Sequence, residues 1–183
     1  MGLFAKLKVW ERFGKLMNSR WGIAFINGTR GMVEKLMTPL AAGKTKEPSP
    51  FTPFEKDLGE ARVALVTTTG VYVEGQEPFD VDAAMGDSSF RAIPSDVDVS
   101  RLRIAHTHYP HERAKKDINV IFPLERLREL VDEKVIGSLA TGHYSFGFDL
   151  HVKELVDPVV GTAHEMAKAL KEDGVDVVLF TPG

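Results

Sequence analysis

An α/β fold is what this sequence predicts: one open, mainly parallel sheet with helices on both faces. Three observations point there. Short apolar runs at 62–68, 102–106, 137–140 and 175–181 are bounded by glycine, proline and polar residues, as strands are. Two stretches of helical periodicity, 123–134 and 157–173, fall between the later runs. Polar clusters follow the runs, where an α/β sheet delivers a site to its carboxyl edge.

The elements follow in order. Arg62–Thr68 is rich in valine and leucine and reads as a strand buried on both faces. Residues 75–89 form an acidic loop. Phe90–Ile93 reads as a short edge strand stopped by Pro94. Leu102–His106 is the next strand. Pro123 opens a helix that runs through Lys134, with Leu124, Leu127, Leu130 and Val131 on one face. Gly137–Ala140 is a short strand. Asp157-Pro158 starts a second helix whose stripe includes Val159, Ala163, Met166 and Leu170, and Gly174 ends it. Val175–Thr181 is a final buried strand. The β-α-β-α-β rhythm from residue 102 predicts parallel strands with right-handed crossovers, a Rossmann-like or flavodoxin-like sheet.

A chain of 183 residues with 43% hydrophobic content is long enough to bury a core. No apolar run reaches the ~18 residues of a membrane span, and the N-terminus lacks the apolar core of a signal peptide. The expected setting is the cytoplasm. Cysteine is absent, which excludes disulfides, thiolate metal sites and a cysteine nucleophile within the sequence.

Charge is distributed unevenly. Residues 1–46 hold nine Lys/Arg and two Glu, a balance of +7, so the net −3 leaves −10 for the remainder. Leu3, Leu7, Trp10, Met17 and Trp21 recur at helical spacing among lysines and arginines, which predicts a basic amphipathic arm over 1–42. Asn27-Gly28 breaks the pattern, and Thr29 reads as the cap of a second short helix. Through residues 1–25 the arm can lie on a membrane surface, making the protein peripheral to it, or pack on its own body or a partner. Residues 43–55 hold three prolines and read as a linker. The body is 56–183.

Four clusters carry candidate chemistry. His106-x-His108-x-x-His111 has a spacing able to hold a metal ion, and the same histidines serve equally as metal-free proton donors or polarising groups. The motif resembles the metallo-β-lactamase signature, but Pro110 stands where that signature has its acid. Asp117-Ile118-Asn119 suits either the start of a helix or the binding of an ammonium group. Thr67-Thr68-Thr69-Gly70 is a hydroxyl-rich turn that can present N–H groups to a carboxylate. His143-Tyr144 falls where a further loop would reach the same edge.

The order of these pieces carries a resemblance. Leu-Val-Thr-Thr-x-Gly-Val, Ser-Phe-Arg-x-Ile-Pro-Ser-Asp, His-x-His-Tyr, Lys-Asp-Ile-Asn-x-x-Phe-Pro, Arg-Leu-Arg-Glu-Leu and Gly-Val-Asp-x-Val-x-x-Thr-Pro-Gly recur in this sequence from about Arg62 to Gly183. Together they resemble the B-type subunit of the glycine/sarcosine/betaine and D-proline reductases. The resemblance implies reductive cleavage of a C–N bond in a small amine or amino acid. It also implies a selenocysteine or cysteine shortly after Gly183, and a pyruvoyl group on a partner subunit. The body is accordingly expected to continue beyond Gly183, and the polypeptide as given to be inactive. It further implies a pocket in which His106, His108, Asp117 and His143 act catalytically and Thr68, Asn119 and Tyr144 bind substrate. Two alternatives stand beside it. One is a metal-dependent hydrolase using His106, His108 and His111. The other is a non-catalytic binding or membrane-docking subunit. Self-association through the last strand is expected, and nucleic acid is not an expected partner.

Overall fold

The structure, a computed structural model, describes residues 52–83, 86–149 and 157–182, together with isolated positions between 16 and 32. The helical arm and most of the linker lie outside the described residues. Gly28 and Thr29, expected to break one helix and cap another, are both helical. The Thr29 hydroxyl donates back to the Phe25 carbonyl at 2.6 Å.

Strand β1 (Arg62–Thr67) is the centre of the body and is buried from Val63 to Thr67. Its alternating side chains serve two cores. Val63 and Leu65 join Phe122, Leu124 and Leu127, the latter two from helix α1 (Leu124–Asp132). Ala64 and Val66 face Met166 and Leu170 of helix α2 (Asp157–Glu172). The expected covering of both sheet faces by helices is therefore present, and period-two alternation assigns each residue to its side.

Both edges of β1 are paired in parallel. Strand β7 (Val177–Thr181) runs along one edge from Val63↔Val177 to Thr67↔Thr181. Along the other, β5 (Ser138–Leu139) pairs at Arg62 and Val63, and β6 (Gly142–Phe146) pairs at Val66 and Thr67. Edge strand β3 (Phe90–Pro94) adds antiparallel to β6, where its proline costs the sheet no interior bond.

Three sequence expectations need correction. The run at 102–106 does not enter the parallel sheet. Strand β4 (Leu102–Ile104) pairs antiparallel with β2 (Val71–Val73) in a separate ribbon, because the chain turns sharply at Gly70. His143–Phe146 is not a loop but the continuation of a strand, β6. Strand β7 is only half buried: Leu179 and Phe180 are 39% and 62% exposed, since among the described residues its outer edge has no neighbour. The helix stops follow expectation, with Gly174 in the left-handed region at φ 69°. No described helix is long and apolar enough to cross a membrane.

Gly70 adopts φ 69°, and a Cβ there would stand 2.3 Å from the Ala105 carbonyl oxygen. Gly70→Ala is expected to destabilise the body by about 2–4 kcal/mol in urea unfolding, from left-handed strain plus overlap. A loss below ~0.5 kcal/mol would show that the turn relaxes freely.

Candidate active site

The carboxyl ends of β1, β6 and β7 meet at one edge of the sheet. Three backbone bonds fasten it: Gly70 N–H to Phe146 at 2.9 Å, Thr68 N–H to Thr181 at 3.2 Å and Ala105 N–H to Gly70 at 2.9 Å. The last brings in the histidine segment that follows β4. Together these ends border a cleft of about 550 Å³. Thr68, His106, His108, Asp87 and Asp149 give it polar groups, while Phe146, Phe148, Met166 and Phe180 give it an apolar wall.

Two histidines border this cleft. His106 is 8% exposed, and its Nδ1 accepts the backbone N–H of His108 at 3.1 Å. That bond assigns the remaining proton to Nε2. Burial pushes His106 from its ordinary 6.5 down to about 4, with His108 and His111 adding to the effect. Burial also lowers His108, whose ring lies flat on Phe148 at 3.5 Å and 14°. Its Nδ1 is 3.0 Å from the Thr107 hydroxyl, and its buried Nε2 has no hydrogen-bond partner among the described residues. At neutral pH both rings are therefore uncharged groups that polarise or accept.

The other predicted residues go elsewhere. His111 turns to Tyr109, ring centroids 4.5 Å apart, and lines a second cleft of about 570 Å³ with Asp117 and Glu125. His106, His108 and His111 do not form a group able to hold a metal ion, nor does any set of three or more His, Cys, Asp or Glu among the described residues. Asp117 caps a short turn of 3-10 helix at 118–120, and Asn119 links that turn to the start of α1. Asp117 accepts the Asn119 N–H at 3.0 Å. The Asn119 amide donates to Asp117 at 2.9 Å and to Glu125 at 2.6 Å, and its oxygen takes the Glu125 N–H at 3.2 Å.

His143 is fully buried. Its Nδ1 accepts the Leu65 N–H at 3.0 Å, filling the gap in the β1 ladder between β5 and β6. Burial holds it at about 4, chiefly by desolvation and then by Arg128. Tyr144 lies in the second core against Phe90, centroids 5.5 Å apart. The structure thus gathers Thr68, His106 and His108 at one cleft and does not bring Asp117, Asn119, His143 or Tyr144 to it.

Sequence reading passed over Phe148, Asp149, Asp87 and Phe180, which lie in unpatterned segments or in a strand read as wholly buried. Tyr109 was within the histidine motif and went unassigned. Its hydroxyl donates to the Thr69 carbonyl at 2.9 Å, and its ring stands 4.8 Å from that of His106.

The parallel sheet covered by helices on both faces defines an α/β protein, with a cleft at the carboxyl edge of its strands bordered by two neutral histidines. Residues 33–183 match the model of the glycine/sarcosine/betaine reductase selenoprotein B family, and the chain belongs to that family. The match begins well before Arg62, so the family pattern takes in the linker and the end of the arm. The chain is 35% identical over 155 residues to the D-proline reductase subunit gamma of Acetoanaerobium sticklandii, covering 84% of this chain and 60% of that relative. It is 30% identical over 135 residues to the glycine reductase complex component B subunit gamma of Symbiobacterium thermophilum, 72% of this chain and 30% of that one. It is 29% identical over 136 residues to the sarcosine reductase complex component B subunit beta of Peptoclostridium acidaminophilum, again 72% and 30%. The chain therefore spans 60% or less of the length of these relatives. No solved structure matches it.

The histidines give a pH prediction. Their folded values near 4 lie below the ordinary 6.5, so between those limits the unfolded chain binds more protons. Stability is complete above about pH 6.5 and falls as pH drops towards 4, by up to ~1.4 kcal/mol per pH unit for each group. His143→Leu is expected to remove one share of that slope. It should also cost about 1–3 kcal/mol at pH 7, because the Leu65 N–H is left buried and unpaired. Chemical unfolding between pH 7 and 4 reads both effects.

Proposed function

We propose that this chain forms the histidine-lined half of the site in a B-type reductase subunit, acting on a small amine or amino acid by reductive C–N cleavage. One observation carries the reading: the carboxyl end of β7 is bonded to the end of β1 beside His106 and His108. A residue delivered shortly after Thr181-Pro182-Gly183 would emerge at that cleft. In this reading it is a selenocysteine or cysteine, whose lone pair forms a C–Se or C–S bond as the C–N pair leaves with the nitrogen, which takes up a proton from solvent.

The chain's own residues then have distinct tasks. His106 presents its Nε2–H to the departing nitrogen as a neutral donor, since its low proton affinity at pH 7 disfavours an imidazolium. His108 offers Nε2, a buried atom with no hydrogen-bond partner among the described residues. Phe146, Phe148 and Phe180 exclude water from the substrate's carbon skeleton. Thr68 borders the substrate. Asp117 and Asn119 hold the turn that leads into α1, and His143 and Tyr144 belong to the core behind the sheet edge. A pyruvoyl-bearing partner subunit would meet the open face of the cleft. The names of the relatives, which include components of reductase complexes, support the presence of partner subunits.

The coding DNA after Gly183 tests the reading first. An in-frame UGA or cysteine codon followed by a helix-coding stretch is the expected result; an ordinary stop would remove it. In the polypeptide carried past that codon and assembled with its partner, His106→Ala or His108→Ala should lower dithiol-dependent amine reduction about 10²–10⁴-fold. Unchanged turnover in both variants would refute the assignment of the histidines.

A further inference from the structure

A buried chain of hydroxyls connects the histidine segment to the end of β7. Thr67 and Thr69 are both fully buried, and their Oγ1 atoms stand 2.7 Å apart. Thr67 Oγ1 also lies 3.0 Å from the Thr181 carbonyl and 3.3 Å from that of Ile121. Thr181 Oγ1 donates to Ile121 at 2.7 Å. Tyr109 closes the other end by donating to the Thr69 carbonyl.

Proton counting orders this cluster. Each hydroxyl has one hydrogen. The Thr67 hydrogen goes to the nearer of its two carbonyl acceptors, Thr181 O at 3.0 Å against Ile121 O at 3.3 Å. Thr69 must then donate to Thr67. The hydroxyl bonds align head to tail from Thr69 through Thr67 to Thr181, and bonds so aligned strengthen one another where water is excluded. Tyr109, whose ring abuts His106, is tied to the same residue from which that sequence starts.

We propose that Tyr109 is a positioning residue for His106 and that the Thr69–Thr67–Thr181 bonds make the histidine segment and the carboxyl end of β7 one mechanical unit. The unit fixes where the residue leaving β7 meets the histidine. The proposal rests on the reductase reading only for the purpose of that alignment; the coupling itself is a property of this chain.

Tyr109→Phe removes one hydroxyl and keeps the ring. Two reporters lie at opposite ends: the His108 amide, which bonds His106 Nδ1, and the Thr68 amide, which bonds the Thr181 carbonyl. In Tyr109→Phe, hydrogen exchange at both amides should speed at least about tenfold. Nitrogen-15 shifts of His106 should change from a single Nε2–H tautomer to a mixture. Thr181→Val approaches from the other end and should also mix the His106 tautomers, whereas Thr181→Ser, which keeps the hydroxyl, should restore the single form. An unchanged His106 tautomer in a folded Tyr109→Phe protein overturns the proposal, as does a response confined to the His108 amide. If Tyr109→Phe does not fold, the Thr181 pair decides. All these readouts are taken without substrate, so a failed reductase assay leaves them intact and their failure leaves the assay intact.

Discussion

Strand β1 must satisfy four neighbours at once: a core on each face and a parallel strand on each edge. Everything else in the body is arranged around that demand. Its alternating valine, alanine and leucine side chains are sized so that both helices can approach. Its backbone is closed by β7 on one side and by a divided row, β5 and β6, on the other. Where that row is interrupted, the strand still needs an acceptor for Leu65 N–H, and a neutral imidazole supplies one inside the sealed core. His143 meets that need and belongs to the architecture as much as any leucine does.

The same demand explains the location of the cleft. A strand paired in parallel on both edges ends beside two other strand ends that point the same way. Their N–H and C=O groups need partners once the ladders stop. Threonines answer locally, because a short hydroxyl side chain can reach a neighbouring carbonyl without leaving a cavity. The cluster Thr67, Thr69 and Thr181 is therefore as much a consequence of parallel pairing as a feature of the site.

Much of this was legible in the sequence. Valine-rich 62–67 announced a strand buried on both faces, and Pro123 and Gly174 marked helix limits that the structure keeps within a residue or two. Other parts were not legible. His143 reads on paper like His106, since both follow an apolar run, and only the interruption between β5 and β6 makes one a core group and leaves the other at the cleft. The strand at 102–104 has the composition of a parallel strand. What sends it into an antiparallel ribbon is a backbone reversal at Gly70, more than thirty residues earlier in the chain. Asp117 and Asn119 have the composition of a binding site and the geometry of a helix start. Patterns report what a residue can do; tertiary placement decides which option is used.

The pairing of Val63 with Val177 has a temporal consequence. The first strand of the body cannot complete its hydrogen bonding until a strand far along the chain has been made, and closing so long a loop costs entropy before any contact repays it. A nascent chain must therefore hold β1 half-paired while nearly all of the described body is synthesised, with one edge of backbone N–H and C=O groups open throughout. Until β7 arrives, that open edge is a template on which another chain can pair.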